Sequence, residues 1–194
     1  MSIFQLYFNL GVQHITDIVG YDHILFLITL CAVYSLKQWK NILVLITAFT
    51  IGHTTSLVLA TFNFINIPVE IIEFLIPITI LITSLANIFQ KNEFVSLRLH
   101  LIKYCIALFF GLIHGLGFSN YLRNLLGSEE NIIKPLFAFN LGIELGQLLI
   151  VIIVLFLTAI TVYLGHVKKR EWNLILSGAG LGVSLILIID RFPF

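Results

Sequence analysis

Residues 101–121 read LIKYCIALFFGLIHGLGFSNY, an apolar run with one lysine near its start and His114 near its end. A helix needs ~20 mostly apolar residues to cross the hydrocarbon core of a bilayer, so this stretch reads as a membrane span. An imidazole inside such a span is costly and is a functional candidate by default. Other apolar stretches of the chain also carry His, Asp, Glu or Asn. The question the sequence poses is whether those groups meet at one depth.

Working outward, 59% of the 194 residues are hydrophobic, 11% are charged and the mean hydropathy is +1.03, values that no soluble domain of this size needs. At ~20 residues per span the chain predicts about six helices, at 21–36, 41–62, 69–89, 101–121, 134–164 and 172–191. The fifth is too long to stand perpendicular and is expected to tilt or to extend beyond the lipid. Residues 3–16 are apolar but short, and read as an interfacial or re-entrant lead-in. They lack the basic start and small-residue cleavage site of a signal peptide. The fold class is therefore all-α, a polytopic bundle forming a single integral-membrane domain over 1–194. A net charge of +1 with no basic arm excludes a nucleic-acid partner. Cys31 and Cys105 sit in separate apolar segments without C-x-x-C spacing and read as apolar filling.

Basic residues alternate between connections: Lys37 and Lys40 after the first span, none after the second, Lys91 and Arg98 after the third. Arg123 and Lys134 are offset by Glu129 and Glu130 after the fourth, and Lys168, Lys169 and Arg170 follow the fifth. The positive-inside rule then predicts an inner (cytoplasmic) membrane protein with both termini outside. At ~1.5 Å per residue, Asp22, His23, His53, Glu70, Glu73, His114, Asn140, Glu144 and Asp190 all fall in the outer half or middle of the bilayer.

His14, Asp17, Asp22 and His23 form the densest polar stretch of the N-terminus. On one unbroken helix His14 and His23 would point to opposite faces, about 13 Å apart along the axis. Gly20 lies between them, and a break there would fold His14 back toward Asp22 and His23. His53 lies among hydroxyls in Thr50-Ile51-Gly52-His53-Thr54-Thr55-Ser56, and Gly111 and Gly115 frame His114 in a G-x-x-x-G pattern that admits a close helix neighbour. Asn140, Glu144 and Gln147 share one face of the fifth span, with Gly142 and Gly146 opposite. A buried carboxylate needs a cation, a proton or a basic partner, and no lysine or arginine lies at the depth of Glu144. Glu70 and Glu73 follow Pro68, where carboxylates suit a helix N-terminus; Glu70 is also a supporting ligand candidate. His100 and His166 lie at the opposite ends of their spans and are expected outside the site.

The donor set His14, Asp22, His23, His53, His114 and Glu144, supported by Asp17, Glu70, Asn140 and Gln147, is rich in nitrogen and oxygen and free of thiolate. It suits a divalent transition metal, Ni, Co, Zn or Fe, better than copper(I), magnesium or calcium.

Five separated blocks carry a family resemblance: Gly11-Val12-Gln13-His14; Gly20-Tyr21-Asp22-His23-Ile24-Leu25-Phe26-Leu27; Thr47-Ala48-Phe49-Thr50-Ile51-Gly52-His53; His114-Gly115-Leu116-Gly117-Phe118; and Phe139 to Gln147. Together they resemble the HupE/UreJ group of small membrane proteins. The resemblance implies a nickel or cobalt permease or accessory protein, with metalloenzyme-maturation partners and with His14, Asp22, His23 and His114 handling metal. The group's His-x5-Asp-His and Phe-His-Gly motifs are altered here, since seven residues separate His14 from Asp22 and Ile113 precedes His114, which marks a divergent branch.

Two functions follow. In the first, the outer-half cluster is the entry site of a metal permease, although only Ser84 and Asn87 offer polar groups on the cytoplasmic half. In the second, a fixed metal activates water for hydrolysis or transfer on a lipid, peptide or lipoprotein, with Glu144 or Asp22 as general base.

Overall fold

The computed structural model describes residues 2–90, 97–126 and 132–193, so Lys91, Glu129 and Glu130 lie outside the described residues, as does the side chain of Arg98. The described chain is helical, with no strand: α1 Ile3–Thr16, α2 Asp22–Cys31, α3 Trp39–Thr61, α4 Val69–Phe89, α5 Leu97–Leu126, α6 Ile133–Ala159 and α7 Lys169–Asp190. A 3₁₀ turn, Leu36–Gln38, leads into α3, and a π turn, Ile160–Leu164, ends α6. Five helices are long and apolar enough to cross a membrane. Their large side chains, such as Ile152, Phe156 and Ile186, are exposed on the outside of the bundle, as a lipid-facing surface requires.

The expected first span, 21–36, is corrected. Its helix is α2, whose ten residues give a length of about 15 Å, half of a bilayer core. The cause is local. Ser35 and Gln38 form a capping box in which the Gln38 side-chain oxygen accepts from the Ser35 amide at 3.2 Å. The box starts the next helical segment at Leu36 rather than 41, and so uses up the end of the preceding one.

The missing length is supplied by α1. Tyr7, Gly11 and Ile15, four residues apart, form its buried stripe. The Tyr7 hydroxyl donates to the Leu125 carbonyl at 3.3 Å, and the His14 ring lies 4.0 Å from that of Phe118. Beyond the break, the His23 ring is 5.1 Å from His114, Phe26 is 6.2 Å from Phe110 and Tyr34 is 5.8 Å from His100. The partners on α5 fall steadily from 125 to 100. Thus α1 and α2 descend one after the other beside α5, as a single span interrupted at residues 17–21. The expected break at Gly20 lies within this interruption, and Asp17 stabilises the turn by accepting from the Val19 amide at 2.9 Å.

Taking the side where α1 begins as the near side, α4 and α6 also descend from it, while α3, α5 and α7 rise to it. Three helix pairs dominate the packing: α3 with α5, α1 with α6, and α4 with α7. The first two are close glycine crossings. A Cβ at Gly52 would collide with the Leu108 carbonyl, and one at Gly111 with the Phe49 carbonyl. Likewise a Cβ at Gly11 would strike the Phe139 carbonyl, and one at Gly142 the Phe8 carbonyl. In lipid, where apolar burial gives no preference for one helix over another, such backbone approach supplies the packing. The third pair is pinned at both ends: Arg170 donates to the carbonyls of Asn87, Ile88 and Gln90 at the far end, and Phe74 meets Phe192 at 5.6 Å at the near end.

Candidate metal centre

Four histidines converge where the first span breaks. His14 ends α1, His23 opens α2, and the glycine crossing of α3 with α5 delivers His53 and His114. The His14 and His23 rings are 4.7 Å apart, and those of His14 and His53 and of His23 and His53 are 6.0 and 6.1 Å apart. One ring nitrogen from each of His14, His23 and His53 lies within 4.8 Å of the others.

Among the described residues these nitrogens have no protein partner. His14 Nε2, His23 Nε2, His114 Nδ1 and both ring nitrogens of His53 are buried without a hydrogen bond, and His53 is 0% exposed. Burying a polar group unpaired costs about 1–3 kcal/mol, so one such atom invites explanation and five together form a donor set suited to a bound cation. For His114 the reactive nitrogen follows from its neighbour. The Thr79 hydroxyl donates its one hydrogen to the Ile76 carbonyl at 2.7 Å, so it accepts from His114 Nε2 at 3.1 Å, leaving a lone pair on Nδ1. Nitrogens bound to one tetrahedral ion at ~2.1 Å stand about 3.4 Å apart. A short inward movement of the three rings reaches that spacing, so the donor set fits a divalent transition metal.

His53 is held by helix-to-helix bonds on either side. The Thr54 hydroxyl donates to Asn140 Oδ1 at 2.6 Å, and the Thr50 hydroxyl to Gln147 Oε1 at 2.8 Å. Asn140 and Gln147 therefore clamp α6 to α3 and position the imidazole from a distance. Glu144 stands apart: it is half-buried on α6 and lines neither of the cavities that reach the histidines.

A cavity of about 260 Å³ runs from the cluster to the near side, past Asp17, Gly20, Asp22, Glu73 and Arg191. A second, of about 620 Å³, opens beside α1 along Gln13, His14, Asp17, Phe118 and Tyr121. Three carboxylates line the first, and a site so lined concentrates cations. Asp22 is 9% exposed; its Oδ2 accepts from Arg191 Nη1 at 3.0 Å while Oδ1 is buried and unpaired. Toward the far side the site is closed by Phe26, Phe49 and Phe110: Phe26 lies 5.0 Å from Phe49, and His114 is 5.3 and 5.1 Å from those two rings.

Some expectations need amendment. Glu70 is exposed in the first turn of α4, and it is Glu73, one turn deeper, that lines the cavity. Arg191, which lies just past the last span and was not among the expected site residues, reaches Asp22. Thr79 was missed because a threonine inside an apolar helix ordinarily bonds its own backbone. Cys31 is buried and Cys105 is exposed, both free, and His100 is taken by Tyr34 and Asn41 at 3.5 and 3.1 Å, far from the cluster.

The fold and site define a helical integral-membrane protein with a buried polyhistidine centre at a broken span. The model of the HupE / UreJ protein family matches residues 1–189, and the chain belongs to that family, which is associated with nickel and cobalt accessory or transport functions. No curated protein and no solved structure matches the chain.

Proposed function

We propose that the protein is a permease for a divalent transition metal of the nickel or cobalt kind, which it receives from the near side. The observation that carries this reading is the set of buried imidazoles with unpaired nitrogens at the end of an acid-lined cavity. Asp17, Asp22 and Glu73 gather the hydrated ion, and His14, His23, His53 and His114 replace its water. The alternative, a membrane metalloenzyme, lacks support at the general base: Asp22 is engaged by Arg191, and Glu144 lines neither cavity that reaches the histidines. Delivery to a metalloenzyme-maturation partner on the far side accords with the family.

Purified protein in liposomes is expected to accumulate nickel or cobalt, and His23→Ala and His114→Ala are expected to lose that uptake. Unchanged accumulation in both variants would overturn the reading. The same applies if well-folded protein neither contains nor binds any of these metals in elemental analysis.

We place the near side outside an inner membrane. Lys37, Lys40, Lys168, Lys169 and Arg170 gather on the far side, where the positive-inside rule sets the cytoplasm. A reporter fused after the C-terminus is expected to register the outer face, and a cytoplasmic signal would reverse the assignment.

A further inference from the structure

The two glycine crossings are the same object. In α1 the pattern Gly11-x-x-His14 recurs one hundred positions later as Gly111-x-x-His114 in α5, and Phe49-x-x-Gly52 of α3 recurs as Phe139-x-x-Gly142 of α6. Ser84-Leu85 of α4 matches Ser184-Leu185 of α7, and both serines are fully buried. The packing repeats in step. In each crossing a glycine meets the carbonyl three residues before the partner glycine: Gly11 with Phe139, Gly142 with Phe8, Gly52 with Leu108, and Gly111 with Phe49. Counting α1 and α2 as one span, the first three spans pair with the second three as one with five, two with four and three with six. A two-fold relation between halves produces this pattern. Because α1 and α6 descend while α5 and α3 rise, the axis lies in the membrane plane and the halves are inverted.

An inverted pair of units makes the two faces of the membrane equivalent in construction. The histidine site sits where the units meet, yet the structure treats the faces unequally. The first span is broken at 17–21, between His14 and His23, and from there a cavity opens to the near side. Its counterpart α5 is continuous through 117–121, although Gly115 and Gly117 stand at the positions of Ile15 and Asp17. Toward the far side lie the three phenylalanines, and against Phe26 and Phe110 a small cavity of about 50 Å³ between α2, α4 and α5, lined mostly by apolar side chains, with Thr83, Asn87 and Lys103 at its edge. Lys103, the cation lining it, is drawn to Gln90 Oε1 at 2.8 Å and lies 5.4 Å from the Tyr34 ring. Asn87 donates to the Thr29 carbonyl at 2.6 Å, while Ser84 Oγ, buried with no partner among the described residues, faces Gly180 of α7.

We propose that the chain is an inverted repeat of two three-span units, and that their shared histidine site empties to the far side, between α2, α4 and α5, when the Phe26–Phe49–Phe110 seal parts. The proposal rests on the metal-transport reading and adds its route and its second state. The metal enters past Asp22 and Glu73, and leaves past Thr83 and Asn87.

The test places one thiol below the seal. Thr83→Cys is made with Cys31→Ala and Cys105→Ala, reconstituted in liposomes and treated with a charged, membrane-impermeant methanethiosulfonate from one side at a time. With nickel on the near side, labelling from the far side is expected to rise by about tenfold, the change that follows when a minor state of a tenth or less becomes dominant. Phe26→Ala is expected to raise it similarly without metal. Labelling from the near side overturns the seal. Protein that binds nickel normally but stays unlabelled from the far side, with metal and with Phe26→Ala alike, overturns the route and leaves the metal-binding reading intact. Absence of nickel binding by the wild-type protein would strike that reading instead.

Discussion

Replacing His53 by leucine is expected to abolish metal binding while making the metal-free protein more stable. The two effects have opposite signs because His53 contributes no hydrogen bond to the fold: both ring nitrogens are buried and unpaired. Leucine fills a similar volume, and volume-conserving apolar exchanges are well tolerated. Removing the unsatisfied nitrogens relieves a penalty of about 1–3 kcal/mol. Binding moves the other way. Disturbing groups that merely orient a ligand weakens metal affinity about 10–100-fold, so deleting one of three converging imidazoles should cost at least the upper end of that range. In wild type, nickel at 100 times its dissociation constant should add about 2.7 kcal/mol of stability. Thermal unfolding in detergent with and without nickel reads both effects. A variant that nickel still stabilises, or whose metal-free form unfolds well below wild type, would show that His53 is a structural residue.

Gly52→Ala and Gly111→Ala are expected to destabilise the bundle and to weaken metal binding together. The added methyl group meets a backbone carbonyl in each case, so no rotamer can relieve the collision and α3 must move away from α5. Overpacking of this kind costs about 1–3 kcal/mol. His53 and His114 ride on these two helices, so their parting also spreads the nitrogens. The double variant should cost less than the sum, because the crossing opens only once. Gly178→Ala and Gly182→Ala serve as controls: neither added methyl would have a neighbour within 4 Å, and helix propensity favours alanine by about 1 kcal/mol. Equal stability of Gly52→Ala and Gly178→Ala would remove the crossing from the account.

Much of the bundle was legible because hydropathy and helix punctuation agree. The third span, 69–89, coincides with α4, with Pro68 at its start. The first span was misread because a capping box is a matter of a few side-chain bonds and not of hydropathy. At the site, the histidines could be gathered because buried imidazoles are conspicuous, and Gly20 marked a break. Glu144 misled. At 100° per residue it stands about 40° from Asn140, near enough to share a face on paper. In the folded bundle the line of contact with α3 runs through Asn140 and Gln147, and a residue that far off the line sits at the edge. Arg191 and Glu73 were hidden because their part depends on how α4, α7 and the break come together. The repeat was present in the sequence, but two short patterns among many apolar residues carry little weight until their crossings are seen to match.

The discontinuous first span also bears on how the protein is made. Neither α1 nor α2 is long enough to hold itself across a bilayer, and the face of α1 that carries Tyr7, Gly11 and Ile15 is buried chiefly by α6, whose contacting residues follow more than a hundred positions later. The helix α1 therefore waits for α6 before it has a seat. Insertion order and packing order differ, and the histidine cluster, which needs His14, is complete only once α1 is seated on α6.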